Sequence, residues 1–274
     1  MFRRLPVFLF IAALIFSGKS DTHSQPARPT VTSTPMIREE QTIVVNGISE
    51  LWRLEWKSPP KSVCGPEDLS ISITCPCGGF AFGESGQLDL VRSVNEREID
   101  RLQLSPLFEE LFADQNGAVV QRWMVQEKDF EKMEKESETF IKLVQSRPVV
   151  KVMHFADYNH DGKSTEFFLQ TSVEPCGKIM GIVVGLDRTN PGLHPFGTAT
   201  HPDKPLVMQK REWEALLESS GPTKLLDWRC GDHGSEIETE MELSAINGSI
   251  QAVRREFECT ETGSRGRFLR EHIF

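Results

Sequence analysis

A chain of 274 residues with 31 Lys and Arg against 40 Asp and Glu carries a formal net charge of −9. An acidic polypeptide is repelled by nucleic acid and by anionic membrane surfaces, and no basic stripe interrupts the charge here, so nucleic-acid binding is set aside. Hydrophobic content of 38% and aromatic content of 8% are enough for a packed core, which excludes a wholly disordered chain.

The N-terminus reads as a secretory signal over residues 1–20. Met1-Phe2-Arg3-Arg4 is basic, residues 5–16 are apolar apart from Pro6, and Ser17-Gly18-Lys19-Ser20 offers small residues for cleavage. The apolar stretch is shorter than the roughly 20 residues a bilayer span needs. No later segment is apolar enough to replace it. The reading therefore predicts no transmembrane anchor after cleavage and a secreted or periplasmic mature chain. The signal holds three basic residues (Arg3, Arg4, Lys19) and no acid, so its loss moves the formal charge from −9 to −12.

Residues 21–38 are rich in Ser, Thr and Pro, a composition that buries little surface, and are expected to be a disordered leader. Residues 39–274 then suit a single domain, or two subdomains divided near residue 190.

Along the domain, period-2 patterning dominates. Val44-Val45-Asn46-Gly47 reads as a strand end and turn. Residues 51–57 alternate, with Trp52, Leu54 and Trp56 on one face. Ile71 and Ile73 begin another strand. Residues 80–92 read as a hairpin, 98–104 as a strand, and 106–112 as a short helix. The clearest helix spans about 127–146, with Phe130, Met133, Phe140, Leu143 and Val144 at helical spacing. Strands are expected at 149–155, 167–171 and 179–186, a long loop at 187–205, and a second short helix at 212–218.

The C-terminal part reads as an antiparallel meander of strands 223–230, 236–245, 250–259 and 267–274. Placing Ile237, Met241 and Leu243 opposite Val253 and Phe257 calls for an odd-length loop that pairs Ile246 with Ile250. Glu236, Glu238, Glu240 and Glu242 then form a solvent face. The fold class expected is α+β, dominated by antiparallel β-sheet.

The strongest chemical motif is Asp157-Tyr158-Asn159-His160-Asp161-Gly162-Lys163-Ser164-Thr165-Glu166. Side-chain oxygens of Asp157, Asn159 and Asp161 at positions 1, 3 and 5 converge when the backbone curls. Gly162 permits the sharp turn, Lys163 can offer its backbone carbonyl, and Glu166 follows as a further acid. Ca2+ takes six to eight such oxygens. The twelfth position is Phe168, so the loop is not an EF-hand. It resembles the Asp-x-Asn-x-Asp-Gly calcium loops of FG-GAP and integrin-type β-propeller repeats, which implies a Ca2+ cofactor held between two strands. As a whole the chain resembles a family of uncharacterised secreted bacterial proteins. These combine a Cys-Pro-Cys-Gly-Gly-Phe-like segment with an Asn-His-Asp-Gly loop followed by Thr-Glu-Phe. That resemblance implies export and a bacterial source.

Six cysteines (Cys64, Cys75, Cys77, Cys176, Cys230, Cys259) in an exported chain favour disulfides. Cys64 with Cys75 or Cys77 closes a short Pro/Gly loop. Cys230 with Cys259 is a second pairing, although a regular meander separates them by two strand spacings. The alternatives are a zinc site or a thiol pair built on Cys75 and Cys77. Five histidines remain as candidate donors: His154, His160, His194, His201 and His233, with His194 and His201 in one loop.

No catalytic signature is present. The function expected is an exported, non-catalytic binding or structural protein with one structural calcium loop, with a possible cell-envelope partner. Two alternatives stay open. One is a metal-assisted hydrolase with an ion held by Asp157, Asp161 and Glu166 beside His154 or His160. The other is a zinc or thiol protein using Cys75 and Cys77.

Overall fold

Alternating apolar residues fold most of the chain into short antiparallel sheets packed face to face. The computed structural model describes residues 35–66, 77, 79–108, 117–125, 129, 137–174 and 178–274. Every element below belongs to one unit, Ser33–Phe274.

The first sheet has the order β1–β2–β5–β6: β1 (Met36–Val45), β2 (Ile48–Trp56), β5 (Leu88–Val94) and β6 (Arg97–Gln103). A small sheet joins β3 (Lys61–Val63), β4 (Gly83–Gly86) and β7 (Ala118–Gln121). In the third, β8 (Glu166–Glu174) lines one side of β9 (Lys178–Gly185). The two-residue strands β10 (His194–Pro195) and β11 (Met208–Gln209) also pair with β9. The last sheet keeps chain order: β12 (Thr223–Trp228), β13 (Ile237–Ile246), β14 (Ser249–Cys259) and β15 (Arg265–Ile273). All these pairings are antiparallel. The described residues include two α-helices, α1 (Ser137–Gln145) and α2 (Lys210–Glu218). No helix among them is long and apolar enough to cross a membrane.

The sheet of β8 and β9 is the middle layer, because its alternation serves two cores. Phe167, Leu169, Ile182 and Val184 pack against Trp52, Leu54, Trp56, Leu88 and Leu90 of the first sheet. Val183 points the other way, into a core with Trp213 and Leu216 of α2 and Met241, Leu243, Ile250 and Ala252 of the last sheet. A third core gathers Phe140 and Val144 of α1 around Phe80, Phe82 and the Cys64–Cys77 disulfide. Fully burying such side chains stabilises by about 1.5–3 kcal/mol each.

Several expectations need correction. The leader was expected to end near Arg38, but β1 starts at Met36. Arg38 is a buried partner of Glu84, with Nε 3.0 Å from Oε2. Residues 80–92 are not one hairpin: β4 belongs to the small sheet and β5 to the first. Residues 106–108 are not α-helical: a single 3-10 turn, Ser105–Leu107, ends with Phe108 extended at ψ 140°. The strand at 71–73, the helix residues before 137 other than Asp129, and residues 109–112 lie outside the described residues.

Residues 149–155 do not form a strand. Only two isolated bridges, Trp123 with Val149 and Ala156 with Glu166, mark the segment. Apart from the Val150 amide, which donates to the Arg122 carbonyl at 2.8 Å, side chains of β1 take the place of a ladder. Arg38 donates to the Gln121 and Val150 carbonyls at 3.0 and 2.9 Å. Glu39 accepts from the Val152 and Met153 amides at 2.6 and 3.2 Å, and Gln41 donates to the Met153 carbonyl at 2.6 Å.

The expected register of β13 and β14 is also overturned. Ile246 pairs with Ser249 and Leu243 with Ala252, across a two-residue turn. Asn247 and Gly248 take φ of 51° and 89°, the left-handed pair that a tight type I′ hairpin requires. The core face of β14 is Ile250, Ala252 and Arg254, not Val253 and Phe257. Arg254 is tolerated there because its guanidinium lies 5.4 Å from the Phe274 ring centre and 3.8 Å from Asp227. The glutamates occupy the opposite face, where Arg265 and Arg255 pair with Glu238, Glu240 and Glu242.

Candidate functional site

The loop 157–166 is closed at its base by the Ala156–Glu166 bridge, with amide-to-carbonyl distances of 2.8 and 3.3 Å. Within it the acidic side chains curl the backbone around themselves. Asp157 Oδ1 accepts from the Asp161 amide at 2.9 Å and its Oδ2 from the Gly162 amide at 2.9 Å. Asn159 Oδ1 also accepts from the Asp161 amide, at 3.0 Å, and Asp161 Oδ1 from the Lys163 amide at 2.9 Å. Gly162 takes φ 89°, which an L side chain resists, and His160 takes φ 54°. The fold thus brings Asp157, Asn159, Asp161 and the backbone of Lys163 into one turn, as the spacing implies.

Glu166 has a different place. Its Oε2 accepts from the Tyr158 amide at 2.9 Å and its Oε1 from the Thr165 hydroxyl at 2.9 Å. The same hydroxyl lies 3.1 Å from the Leu186 carbonyl, so its one proton is shared between the two acceptors, and the contact ties the loop's neck to the end of β9. Burial pushes Glu166 up to about 8; the Thr165 and Tyr158 hydrogen bonds oppose the shift, while Asp161 and Asp157 add to it.

The loop is buried on its inner side, while Gly162 and Ser164 at its tip are exposed and Asp157 is half-buried. Asn159, Asp161 and Glu166 are 0%, 1% and 0% exposed. The turn between β13 and β14 lies against it, with the Gly248 amide donating to the Asn159 carbonyl at 2.9 Å. Two buried polar atoms in the loop have no hydrogen-bond partner: Asp161 Oδ2 and Asn159 Nδ2. A buried carboxylate oxygen without a donor is costly. Among the described residues no three His, Cys, Asp or Glu side chains gather at one point. The loop's own set is two aspartates, one amide oxygen and backbone.

The histidines are scattered. His154 is exposed on the segment before the loop, and His160 lies within it, half-buried. His194 Nε2 is 3.3 Å from Asp187, and its ring stacks on Phe196 at 4.8 Å. His201 lines a separate hollow with His272 and Phe274. His233 falls in a 3-10 turn, Asp232–Gly234.

Cys64 bonds Cys77 and Cys230 bonds Cys259, with Cα atoms 5.0 and 5.5 Å apart. The second pair avoids the expected obstacle because Cys230 lies beyond the end of β12. There the chain curls back, with the Gly231 amide bonded to the Ser235 carbonyl. Cys259 meets the same end through its amide bond to the Glu236 carbonyl at 2.9 Å. Cys77 is bonded to Cys64, not coupled to Cys75 as a Cys-Pro-Cys thiol pair. Cys75 and Cys176 lie outside the described residues.

Sequence reasoning missed Tyr158 as more than a spacer in the loop. It is the one tyrosine of the chain. It packs edge-on against Trp213 at 6.0 Å, and burial, then Glu214 and Glu166, pushes its phenol up to about 12. The signal available was an aromatic residue between two metal-type ligands, where a loop exposed to water has no use for one.

Compared with known protein families, curated proteins and solved structures, the chain matches none.

Proposed function

We propose that this is an exported, non-catalytic binding or structural protein of the periplasm or cell exterior, in which the 157–166 loop holds one structural calcium ion. The observation that carries the reading is Asp161: a nearly inaccessible carboxylate whose Oδ2 has no donor, in a turn shared with Asp157 and Asn159. A hard cation satisfies that oxygen and offsets the concentrated negative charge. The competing occupant is a buried water bridging Asp161 Oδ2 and Asn159 Nδ2. Asp157, Asn159, Asp161 and the Lys163 backbone would hold the ion, and Glu166 would position the loop's neck. Two disulfides and the basic-then-apolar N-terminus support the oxidising location.

The placement favours a structural role over hydrolysis. Catalysis by the ion needs an open coordination position, whereas the unpartnered Asp161 oxygen is buried and the Gly248 turn is bonded to the neighbouring Asn159 carbonyl.

The test is thermal unfolding of the exported chain in EDTA, in Mg2+ and in rising Ca2+, beside Asp161→Ala. A ligand at a hundredfold its dissociation constant adds about 2.7 kcal/mol. The expected result is a rise in melting temperature specific to Ca2+ and abolished by Asp161→Ala. No rise at millimolar Ca2+ assigns the space to water and ends the calcium reading.

A further inference from the structure

Beside the loop, and separate from its interior, lies a cleft of about 430 Å³. This is within the range of small-molecule sites, which are mainly apolar with a few polar groups. It opens where three unrelated parts of the chain meet: β7, the bridge-poor segment 150–154, and the first turn of α2 beside β8. Its floor is apolar, from Phe80, Val120, Phe168, Leu169 and Ile179. Its polar groups are unevenly charged. Lys151 and Lys210 line it against one acid, Glu214, with His154 and Tyr158 as further polar neighbours. Lys210 Nζ is 3.7 Å from Glu214 Oε1, which offsets one positive charge and leaves the balance positive. That excess of one positive charge stands in a chain of net charge −9. A hollow with an oily floor and a cationic margin is complementary to a molecule with an apolar body and an anionic end.

The wall at 150–153 belongs to no strand ladder. The Val150 amide donates to the Arg122 carbonyl at 2.8 Å, while side chains of β1 (Arg38, Glu39 and Gln41) bond the Val150 carbonyl, the Val152 amide and both the amide and carbonyl of Met153. No strand has to be displaced for a ligand to reach Lys151 and Val152.

We propose that this cleft is a binding site for a small amphipathic anion, a carboxylate with an aliphatic or aryl body, whose charged end lies between Lys151 and Lys210. The body covers Ile179 and Phe168. The site does not depend on calcium occupancy of the neighbouring loop.

The single tyrosine gives a local reporter, because its ring lines the cleft, and titration both in Ca2+ and in EDTA separates its response from that of the loop it belongs to. Sodium octanoate, 1-octanol and acetate are titrated into the exported chain and followed at the Tyr158 ring by NMR, in Ca2+ and in EDTA. The expected result is a saturable octanoate shift, weaker binding of octanol by about tenfold, and no saturable shift with acetate. Lys151→Glu with Lys210→Glu, at two surface positions, is expected to weaken octanoate by at least about tenfold while leaving octanol unchanged. Ile179→Trp fills the floor and is expected to abolish both. No saturable shift at about 10 mM octanoate, or equal affinities for octanoate and octanol, overturns the proposal. So does indifference to the charge reversals.

Discussion

The amide of Gly248 donates to the carbonyl of Asn159 at 2.9 Å, so the tip of the β13–β14 hairpin is bonded to the centre of the acidic loop. A Cβ at Gly248 would stand 3.6 Å from the Asp161 Cβ, and the residue's φ of 89° is left-handed. Gly248→Val is therefore expected to cost roughly 1–2 kcal/mol from backbone conformation alone. In a chain of this size that lowers the melting temperature by about 2–8 °C. It should also shrink the calcium-dependent rise. Gly47→Val in the β1–β2 turn is the matched control: φ is 82° and nothing lies within 4 Å of the added Cβ. It should cost a similar amount and leave the calcium response intact. Equal calcium responses in the two variants would separate the turn from the loop.

Glu39 is the second point of control. Its carboxylate accepts two amides, at Val152 and Met153, across more than a hundred residues of sequence. Glu39→Ala leaves both donors without a partner, at about 1–3 kcal/mol each where they are buried. The expected outcome is loss of hydrogen-exchange protection at Val152 and Met153, with protection of β8 and β9 retained. Unchanged protection at 152 and 153 would mean that water replaces the carboxylate at little cost.

The two disulfides should separate in the same experiments. The chain-entropy model gives about 3 kcal/mol for the Cys64–Cys77 link and about 3.6 kcal/mol for Cys230–Cys259, from separations of 13 and 29 residues. The first staples the core around Phe80 and Phe140; the second holds the far end of the last sheet. Each double Cys→Ser variant is expected to unfold at lower denaturant. Neither should lose the calcium-dependent rise, since neither bridge touches the 157–166 loop. A calcium response lost with Cys230 and Cys259 would show that the last sheet positions its hairpin tip through its far end.

What the sequence shows of this fold is what local spacing controls. Trp52, Leu54 and Trp56 alternate, and they are buried where alternation places them. Asp157, Asn159 and Asp161 with Gly162 predict a turn that closes on its own side chains, and the hydrogen bonds to the Asp161, Gly162 and Lys163 amides draw it closed. What it hides is set by distant partners. Residues 149–155 look like a strand because Val149, Val150 and Val152 are β-formers, yet past the bond of Val150 to Arg122 the partners are side chains of β1, Glu39 and Gln41. The β13–β14 register looks odd-looped because the apolar Val253 and Phe257 mark a core face and leave Arg254 with the glutamates. Asp227 and Phe274, far from Arg254 in sequence, make the core face acceptable to it, and Asn247-Gly248 then sets the register. The cleft is invisible in one dimension, since Phe80, Lys151 and Lys210 meet only in the fold.

The last prediction concerns Glu212, three residues past the N-cap of α2. Its Oε2 accepts from the Gln209 amide at 2.8 Å, while its Oε1 is buried without a partner. Burial pushes its carboxyl from the ordinary 4.5 up to about 7; Asp227 adds to the shift, and the Gln209 amide, Arg254 and Arg211 oppose it. Because the folded pKa is raised, the folded state binds the extra proton between these two values. The stability from that proton is complete below pH about 4.5 and is lost as pH rises through about 7, a change on the order of 3 kcal/mol. Glu212→Gln keeps an acceptor for the Gln209 amide and cannot ionise. It should therefore match the wild type near pH 5, exceed it near pH 8, and flatten the slope between. Denaturant titrations at those two pH values decide the matter. If the variant is instead weaker near pH 8, Arg254 and Arg211 hold Glu212 as an anion, and its charge rather than its proton secures the start of the helix.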